Sequence, residues 1–377
     1  MSWNILAAGP QPPAPPTVGT ALIWSVYFAA LALAVGLGLT VGVLAPDGPL
    51  ARRARRLAVP IAVVVAVTAV LALAELASTR QGTSLWSGLA PSTLQDFFIA
   101  PHGPGKPTGL TLAQMMAYLL LVAALIAWRV TSARGMALIV LALGVTTVVI
   151  PQLPVGPLLA QRVATGTMTA LHFTAVVLWI GGLLILAILG ILGRWDAGVA
   201  DDDAIAADWA GVWGRFSNVA LCSVGVLIVT GTWMAWTHVG SPAQLFTTHY
   251  GRLLLAKLVV VMLLVCAGAY NTRVLLPRLA AARAADDRRA VWRLAVEHFP
   301  KVVAVEAVLG LTVLVIVPFL SGSARMQGGS KPARSFDLTV FGTGALLTAL
   351  VAATLVAGTR VAVVRRGPER ELTVTPR

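Results

Sequence analysis

Nine separate stretches of the chain are apolar over the length that a bilayer-spanning helix requires. Such a helix needs roughly 20 apolar residues. Hydrophobic residues make up 58% of the sequence and charged residues 11%, a balance that exceeds the needs of a soluble core. The sequence therefore predicts an all-α polytopic transmembrane helical bundle, with spans at about 20–44, 58–77, 111–128, 135–153, 165–192, 216–239, 251–272, 302–320 and 337–359.

Most of the Lys and Arg residues fall between alternate spans or in the C-terminal tail. Because positive residues mark cytoplasmic loops, the odd-numbered spans are predicted to run inward, with the N-terminus outside and the C-terminus in the cytoplasm. The net charge of +13 then reflects orientation in a lipid bilayer, and we expect no nucleic-acid partner. The Pro-rich N-terminus has no basic segment before an apolar one, so we expect it to be retained.

These features divide the chain into five parts. They are an extracytoplasmic Pro-rich N-terminus (1–19), a four-helix membrane half (20–160) with an outer loop (78–110), a four-helix membrane core (161–322), a ninth span with its preceding outer loop (323–359) and a basic cytoplasmic tail (360–377). Ala21–Trp24 is similar to Ala170–Phe173, with Ile23 at the position of His172. This similarity predicts a 4+4 parallel repeat plus one extra span.

The fifth and sixth spans each carry a methionine and a histidine four residues apart. The pairs are Met168 with His172, and Met234 with His238, and the spacing puts each pair on one helix face. Because successive spans alternate in direction, both pairs are predicted near the same outer surface. Thioether and imidazole groups suit copper, above all Cu(I). We therefore predict a metal site formed by these four side chains.

Each of these residues also has a simpler interpretation. His172 could instead form a hydrogen bond between helices, which would relieve the cost of a polar ring in hydrocarbon. Met168 and Met234 could be ordinary apolar filling. His238 falls near the predicted membrane interface and could simply be solvated. His249 and His102 also fall on the predicted outer side and could add metal ligands, or could be solvated.

Two cysteines and one carboxylate form a candidate transport path toward the cytoplasm. Cys222 and Cys266 fall in the inner halves of the sixth and seventh spans, and Glu306 falls in the inner part of the eighth. Thiolates bind Cu(I) strongly, although small buried cysteines are also common packing residues. Glu306 could instead accept a proton, or pair with an arginine of the inner face such as Arg273.

Two further charges fall within the predicted spans. The simplest interpretation is a structural pair between Lys257 and Glu75 that faces the bundle interior. Alternatively, Lys257 could act with Arg252 and Tyr250 to hold an anionic group or to set the electrostatic field at the metal entrance.

Several short motifs follow one another in a fixed order along the second half of the chain. They are Leu171–Thr174, Trp179–Gly182, Arg215–Ser217, Thr230–Gly231 and Tyr250–Lys257, with Asn271 and Glu306 after them. Over about 165–320 the pattern resembles the bacterial copper resistance protein D (CopD) family. The resemblance implies copper transport across the bacterial cytoplasmic membrane, often alongside a separate periplasmic or extracytoplasmic copper-binding protein.

The first functional hypothesis is therefore import of copper captured by outer-facing His and Met residues, without enzymatic activity. No Gly-rich phosphate-binding loop indicates ATP use. A second hypothesis is a haem-b membrane oxidoreductase, with His172 and either His238 or Met234 as axial ligands; membrane protoporphyrinogen oxidases look distantly similar to this family. A third is an accessory or scaffold protein that assists copper delivery to an oxidase.

Overall fold

The computed structural model describes residues 16–99, 108–131, 134–154, 160–193, 202–331, 333 and 338–364. Every regular element within these residues is helical, which confirms the predicted all-α bundle. Eight helical segments there are long and apolar enough to cross a membrane. The ninth predicted span falls on the last helix, whose described apolar part, Leu338–Leu350, is shorter than a span.

The helices are numbered in chain order. They are α1 (Val18–Leu39), α2 (Pro49–Arg55), α3 (Ala58–Gln81), α4 (Pro91–Ile99), α5 (Thr108–Ala127), α6 (Arg134–Val149), α7 (Ala160–Gly193), α8 (Asp202–His238), α9 (Gln244–Thr247), α10 (His249–Tyr270), α11 (Leu276–Ala284), α12 (Arg288–Trp292), α13 (Phe299–Ile316), α14 (Ala324–Gln327) and α15 (Leu338–Val364). Three π-helical turns continue α1, α10 and α12, at Thr40–Leu44, Asn271–Leu275 and Arg293–His298.

The two most buried spans, α1 and α7, pack against each other at the centre of the bundle. Glycines allow their backbones to touch: a Cβ on Gly36 would overlap the carbonyl oxygen of Gly181, and a Cβ on Gly181 would overlap that of Ala32. In the same interface the rings of Phe28 and Phe173 stack with their centroids 5.8 Å apart. Small residues permit this approach in a membrane, where helix association depends on close packing.

Some of the contacts around α1 are similar to those around α7, and the 4+4 repeat stays a prediction. In the first half, α1 packs against α3 and α6, and α5 packs against α6. In the second half, α7 packs against α8 and α13, and α10 packs against α13. Phe28 precedes Gly36 by as many residues as Phe173 precedes Gly181, so α1 and α7 run parallel in matching register. This register sets Tyr27, rather than Ile23, beside the position of His172.

A small cap joins the C-terminal end of α8 to the N-terminal end of α10. Arg325 donates hydrogen bonds from Nε and Nη2 to the carbonyl oxygen of Trp236, at 3.2 and 2.9 Å. Gln244 accepts from the backbone N–H of Gly240 at 2.7 Å and lies 2.7 Å from the hydroxyl of Ser330. These contacts fix the helix ends that carry the predicted outer ligands.

Candidate functional site

His172 lies buried between α7 and α8. Its side chain is 9% exposed, and its Nδ1 lies 2.9 Å from the hydroxyl oxygen of Thr230 on α8. The next residue, Gly231, keeps the α8 backbone close to the ring, since a Cβ there would lie 3.8 Å from the His172 Cε1. The helix-to-helix hydrogen bond that the sequence left open as an alternative is therefore present.

The hydrogen bonds of Thr230 define which nitrogen of His172 carries the proton. The Thr230 hydroxyl lies 2.7 Å from the carbonyl oxygen of Val226, which can only accept, so the hydroxyl donates its one proton there. Thr230 must then accept from Nδ1–H of His172. The lone pair of His172 Nε2 stays available, as in histidines whose second nitrogen binds a metal. A hydrogen bond between helices and metal ligation are thus compatible.

Both methionines lie one helical turn from the His172–Thr230 contact, on the side of the predicted outer surface. Met168 precedes His172 by four residues on α7, and Met234 follows Thr230 by four residues on α8. Since the two helices are antiparallel and rise about 1.5 Å per residue, the backbones of the two methionines lie at similar heights, roughly 6 Å from His172 along the axis. Both side chains are half-buried.

His238 is well separated along α8 from the contact between His172 and Thr230. It follows Thr230 by two turns, about 12 Å along α8. Its Nδ1 donates to the carbonyl oxygen of Met234 at 2.8 Å, and its ring stacks on Tyr250 of α10 with centroids 5.8 Å apart. The described part of the chain contains no group of three or more His, Cys, Asp or Glu residues that could hold a metal ion. His172, His238 and the exposed His249 therefore do not share one site.

The predicted pair between Lys257 and Glu75 is not formed. Glu75 Oε1 instead accepts hydrogen bonds from the hydroxyls of Thr20, at 2.6 Å, and Thr79, at 3.3 Å. Lys257 lies within electrostatic reach of His172, while Arg252 on the same helix is exposed. Lys257 thus acts electrostatically on His172, and a role for it with Arg252 and Tyr250 in setting the field at a metal entrance stays a prediction.

The predicted transport-path residues do not line one passage. Cys222 and Cys266 are both exposed on their helices and do not line the cavity that contains Glu306. Glu306 is 4% exposed, and its Oε1 accepts a hydrogen bond from Asn271 Nδ2 at 2.7 Å. The sequence pattern singled out both Asn271 and Glu306 but did not indicate that they touch. His102 lies outside the described residues.

The cavity next to Glu306 has a volume of about 280 Å³ and lies between α7, α8, α10 and α13. Trp179 of α7 is at its wall, two turns along the helix after His172. Most of the remaining wall is apolar or aromatic, and Arg273 also contributes to it. Arg273 lines the same cavity as Glu306, and Asn271 supplies a hydrogen bond to the Glu306 carboxylate.

Comparison with known proteins supports the family resemblance. Residues 210–320 match the sequence profile of the family described as Copper resistance protein D. The inner membrane protein YebZ of Escherichia coli (strain K12) is 34% identical over 158 residues, which cover 41% of this chain and 47% of that relative. The chain thus spans about half the length of this curated relative. No solved structure matches the chain. The resemblance predicted from the motifs is confirmed over the part from α8 to α13.

Proposed function

We propose that this multi-pass membrane protein binds Cu(I) between α7 and α8 and carries it across the bacterial cytoplasmic membrane. His172 Nε2 would be the central ligand, with the thioethers of Met168 and Met234 beside it. A soft cation matches this ligand set, since thioether and imidazole groups are preferred by Cu(I) over hard ions such as magnesium. Copper is here the transported substrate.

One observation carries the proposal: the hydrogen bond that Nδ1–H of His172 donates to Thr230 holds the imidazole inside the bundle, and in the neutral ring it leaves the Nε2 lone pair for a ligand. A polar ring at this depth is costly unless it has partners. Thr230 satisfies only Nδ1, so a ligand for Nε2 would complete the site. A hydrogen bond from the ring nitrogen that does not bind the metal orients a histidine ligand and raises the basicity of the other nitrogen.

The comparisons support copper as the substrate and the cytoplasmic membrane as the location. The matching family is described by copper resistance, and the relative from Escherichia coli is described as an inner membrane protein. We propose inward movement, because in the predicted orientation the methionine side of His172 faces outward and would receive copper first. A separate extracytoplasmic copper-binding protein is the proposed donor. His238, near the cap, would be an accessory ligand along the route of entry.

The positive charge of Lys257 would help a transport site to release its bound ion. A positive charge near a bound cation raises the free energy of the bound state. A transporter needs binding that is favourable enough to load and weak enough to unload, so a cation beside the ligands would shorten the residence time of copper. This electrostatic role replaces the predicted pair with Glu75.

Binding of Cu(I) to the purified full chain tests the proposal. We expect one equivalent of Cu(I) per chain, and loss of this binding in His172→Ala but not in His249→Ala, because His249 is exposed. In cells, His172→Ala should reduce copper accumulation more than His102→Ala. Normal Cu(I) binding by His172→Ala, together with copper accumulation equal to that of His102→Ala, would contradict the site. A Soret band in the purified protein that His172→Ala removes would favour haem b instead.

A further inference from the structure

A groove between α8 and α10 carries a second inference, which does not depend on the copper proposal. The cavity of about 280 Å³ is this groove: α8 and α10 form its sides, and Trp179 of α7 and Val303 of α13 lie at its base. α8 packs mainly on α7 and α15, whereas α10 packs mainly on α13, so the two sides have little direct contact with each other. The groove is therefore partly open.

Most of the length of the groove is apolar. Leu221 and Val224 of α8 face Val265 and Ala269 of α10 across it. The α8 and α10 segments are the least buried of the eight apolar helical segments in the described part of the chain, so both present apolar surface to lipid. Apolar walls that lack contacts on one side gain dispersion energy when a chain fills the space. In a bilayer, the apolar chains at hand are those of the lipids.

Polar side chains lie at the end of the groove that follows α10. The hydroxyl oxygens of Ser217 and Thr272 lie 3.3 Å apart, and Thr272 donates to the carbonyl oxygen of Gly268 at 2.9 Å. These hydroxyl groups join α8 to the π-helical turn. Arg273 lies next to them and is exposed; of the described residues that line the cavity, it is the one with a positive charge.

Arg273 is placed at the level where the bilayer is predicted to end. The seventh predicted span ends at residue 272, on the cytoplasmic side. A long arginine side chain can extend from such a position to the phosphate layer while its stem stays on apolar surface. Because α10 and α13 are consecutive antiparallel spans, the backbone moves away from the contact between Asn271 and Glu306 as it continues to Arg273. The Glu306 carboxyl thus lies deeper in the groove.

We propose that this groove binds a phospholipid of the cytoplasmic leaflet, with one acyl chain along its apolar walls and the phosphodiester against Arg273. A guanidinium group binds phosphate oxygens through paired, charge-assisted hydrogen bonds. The chain enters from the bilayer and does not cross water. The bound lipid fills the space that separates α8 from α10.

Native mass spectrometry of the delipidated full chain in detergent tests this proposal, with dioleoylphosphatidylglycerol as the probe. Dioleoylglycerol is the ligand control, since it has the same acyl chains without the phosphate. We expect one site at which the phospholipid binds at least about tenfold more tightly than dioleoylglycerol, because the control loses hydrogen bonds to a charged group. Equal affinity for the two lipids would overturn the proposal in favour of a groove that takes any apolar chain.

A substitution at the exposed end of the groove tests the recognition of phosphate. Arg273→Gln should reduce the preference for the phospholipid to less than about threefold. Arg278→Gln is the matched control, since Arg278 is also exposed, lies on α11 and does not line the cavity. The control should keep the full preference. Equal losses in the two variants would overturn the site in favour of a general attraction of anionic lipid to the basic surface.

A cavity-filling variant tests the location. Gly268 lines the groove, and a Cβ there would meet no atom within 4 Å, so the helix can accommodate Gly268→Leu, which should abolish binding of both lipids at this site. Gly214→Leu is the matched control, since Gly214 also has open space but does not line the groove. Unchanged lipid binding by Gly268→Leu would overturn the proposed location.

Discussion

The Nδ1 of His172 and the hydroxyl oxygen of Thr230 lie 2.9 Å apart across the interface of α7 and α8. Because Thr230 donates its own proton to Val226, it can only accept from the imidazole. Thr230 is thus a positioning residue that sets the tautomer and the orientation of the proposed copper ligand. This relationship can be tested separately from the ligand itself.

Thr230→Val should weaken Cu(I) binding by about 10- to 100-fold. Loss of the group that hydrogen-bonds to the non-ligating nitrogen of a histidine has an effect of this size in other metal sites. The substitution preserves the shape of the side chain but leaves Nδ1–H unpaired. The dissociation constant is measured by competition with a Cu(I) chelator. Thr232→Val is the matched control, because Thr232 hydrogen-bonds only to the carbonyl oxygen of Ile228 on its own helix. Similar affinities of the two variants would argue against a positioning role.

The two thioethers should contribute to binding together. Replacing both Met168 and Met234 by leucine keeps the side-chain volume but removes two soft ligands, so we expect Cu(I) affinity to fall by at least about tenfold. Met262→Leu provides the control, since Met262 is 62% exposed on α10. The same chelator competition reports the change. A double variant that binds as tightly as the Met262→Leu protein would identify the methionines as packing residues.

Lys257→Met should strengthen Cu(I) binding, because it removes a positive charge from the surroundings of His172. A gain of about 1 kcal/mol, roughly fivefold in the dissociation constant, corresponds to a partly screened pair of charges. Transport should become slower as release slows. Arg252→Met removes an exposed charge from the same helix and should change neither quantity. Weaker binding in Lys257→Met would contradict the electrostatic role.

The double variant Cys222→Ser with Cys266→Ser should transport copper at the normal rate. Both thiols are exposed on their helices, so they do not face the interior that a copper path would follow. Copper accumulation in cells measures the rate. A marked loss of transport, together with intact binding at His172, would restore the thiols to the path that the sequence predicted.

Gly36→Ala should destabilise the bundle, because its Cβ would overlap the backbone of Gly181. Overpacking of this kind costs about 1–3 kcal/mol or more in the free energy of unfolding. Gly19→Ala, on the same helix, meets no atom closer than 3.8 Å and should have a much smaller effect. Thermal unfolding of the detergent-solubilised variants compares the two. Equal unfolding temperatures would indicate that α1 and α7 can separate at little cost.

Hydropathy predicted the number and order of the first eight spans because the bilayer imposes both length and composition on a helix. It did not predict how far α8 extends: the helix begins at Asp202 instead of near residue 216. Its first turns carry the buried Trp209 and Trp213, which stack on each other within the bundle. A scan for apolar composition does not detect a helix that is stabilised by a few large aromatic contacts among polar residues.

Spacing along the helices predicted which candidate residues share a face, but not which helices meet. Met168 and Met234 do lie at similar heights, as the antiparallel arrangement requires. The proposed partner of Lys257 was wrong because depth in the membrane says nothing about the position of α3 around the bundle. The contact between Asn271 and Glu306 joins α13 to the π-helical turn after α10, and only the tertiary packing brings these residues together.

The backbone contact at Gly36 and Gly181 restricts the conformational cycle of any transport mechanism. At these glycines no side chain separates α1 from α7, so no compressible layer there could absorb a change in their separation. Alternating access would therefore use these two helices as a fixed pivot, with displacement confined to peripheral elements such as α8, α10 and α15. His172, on the pivot itself, would remain stationary while the gates on either side of it open in turn.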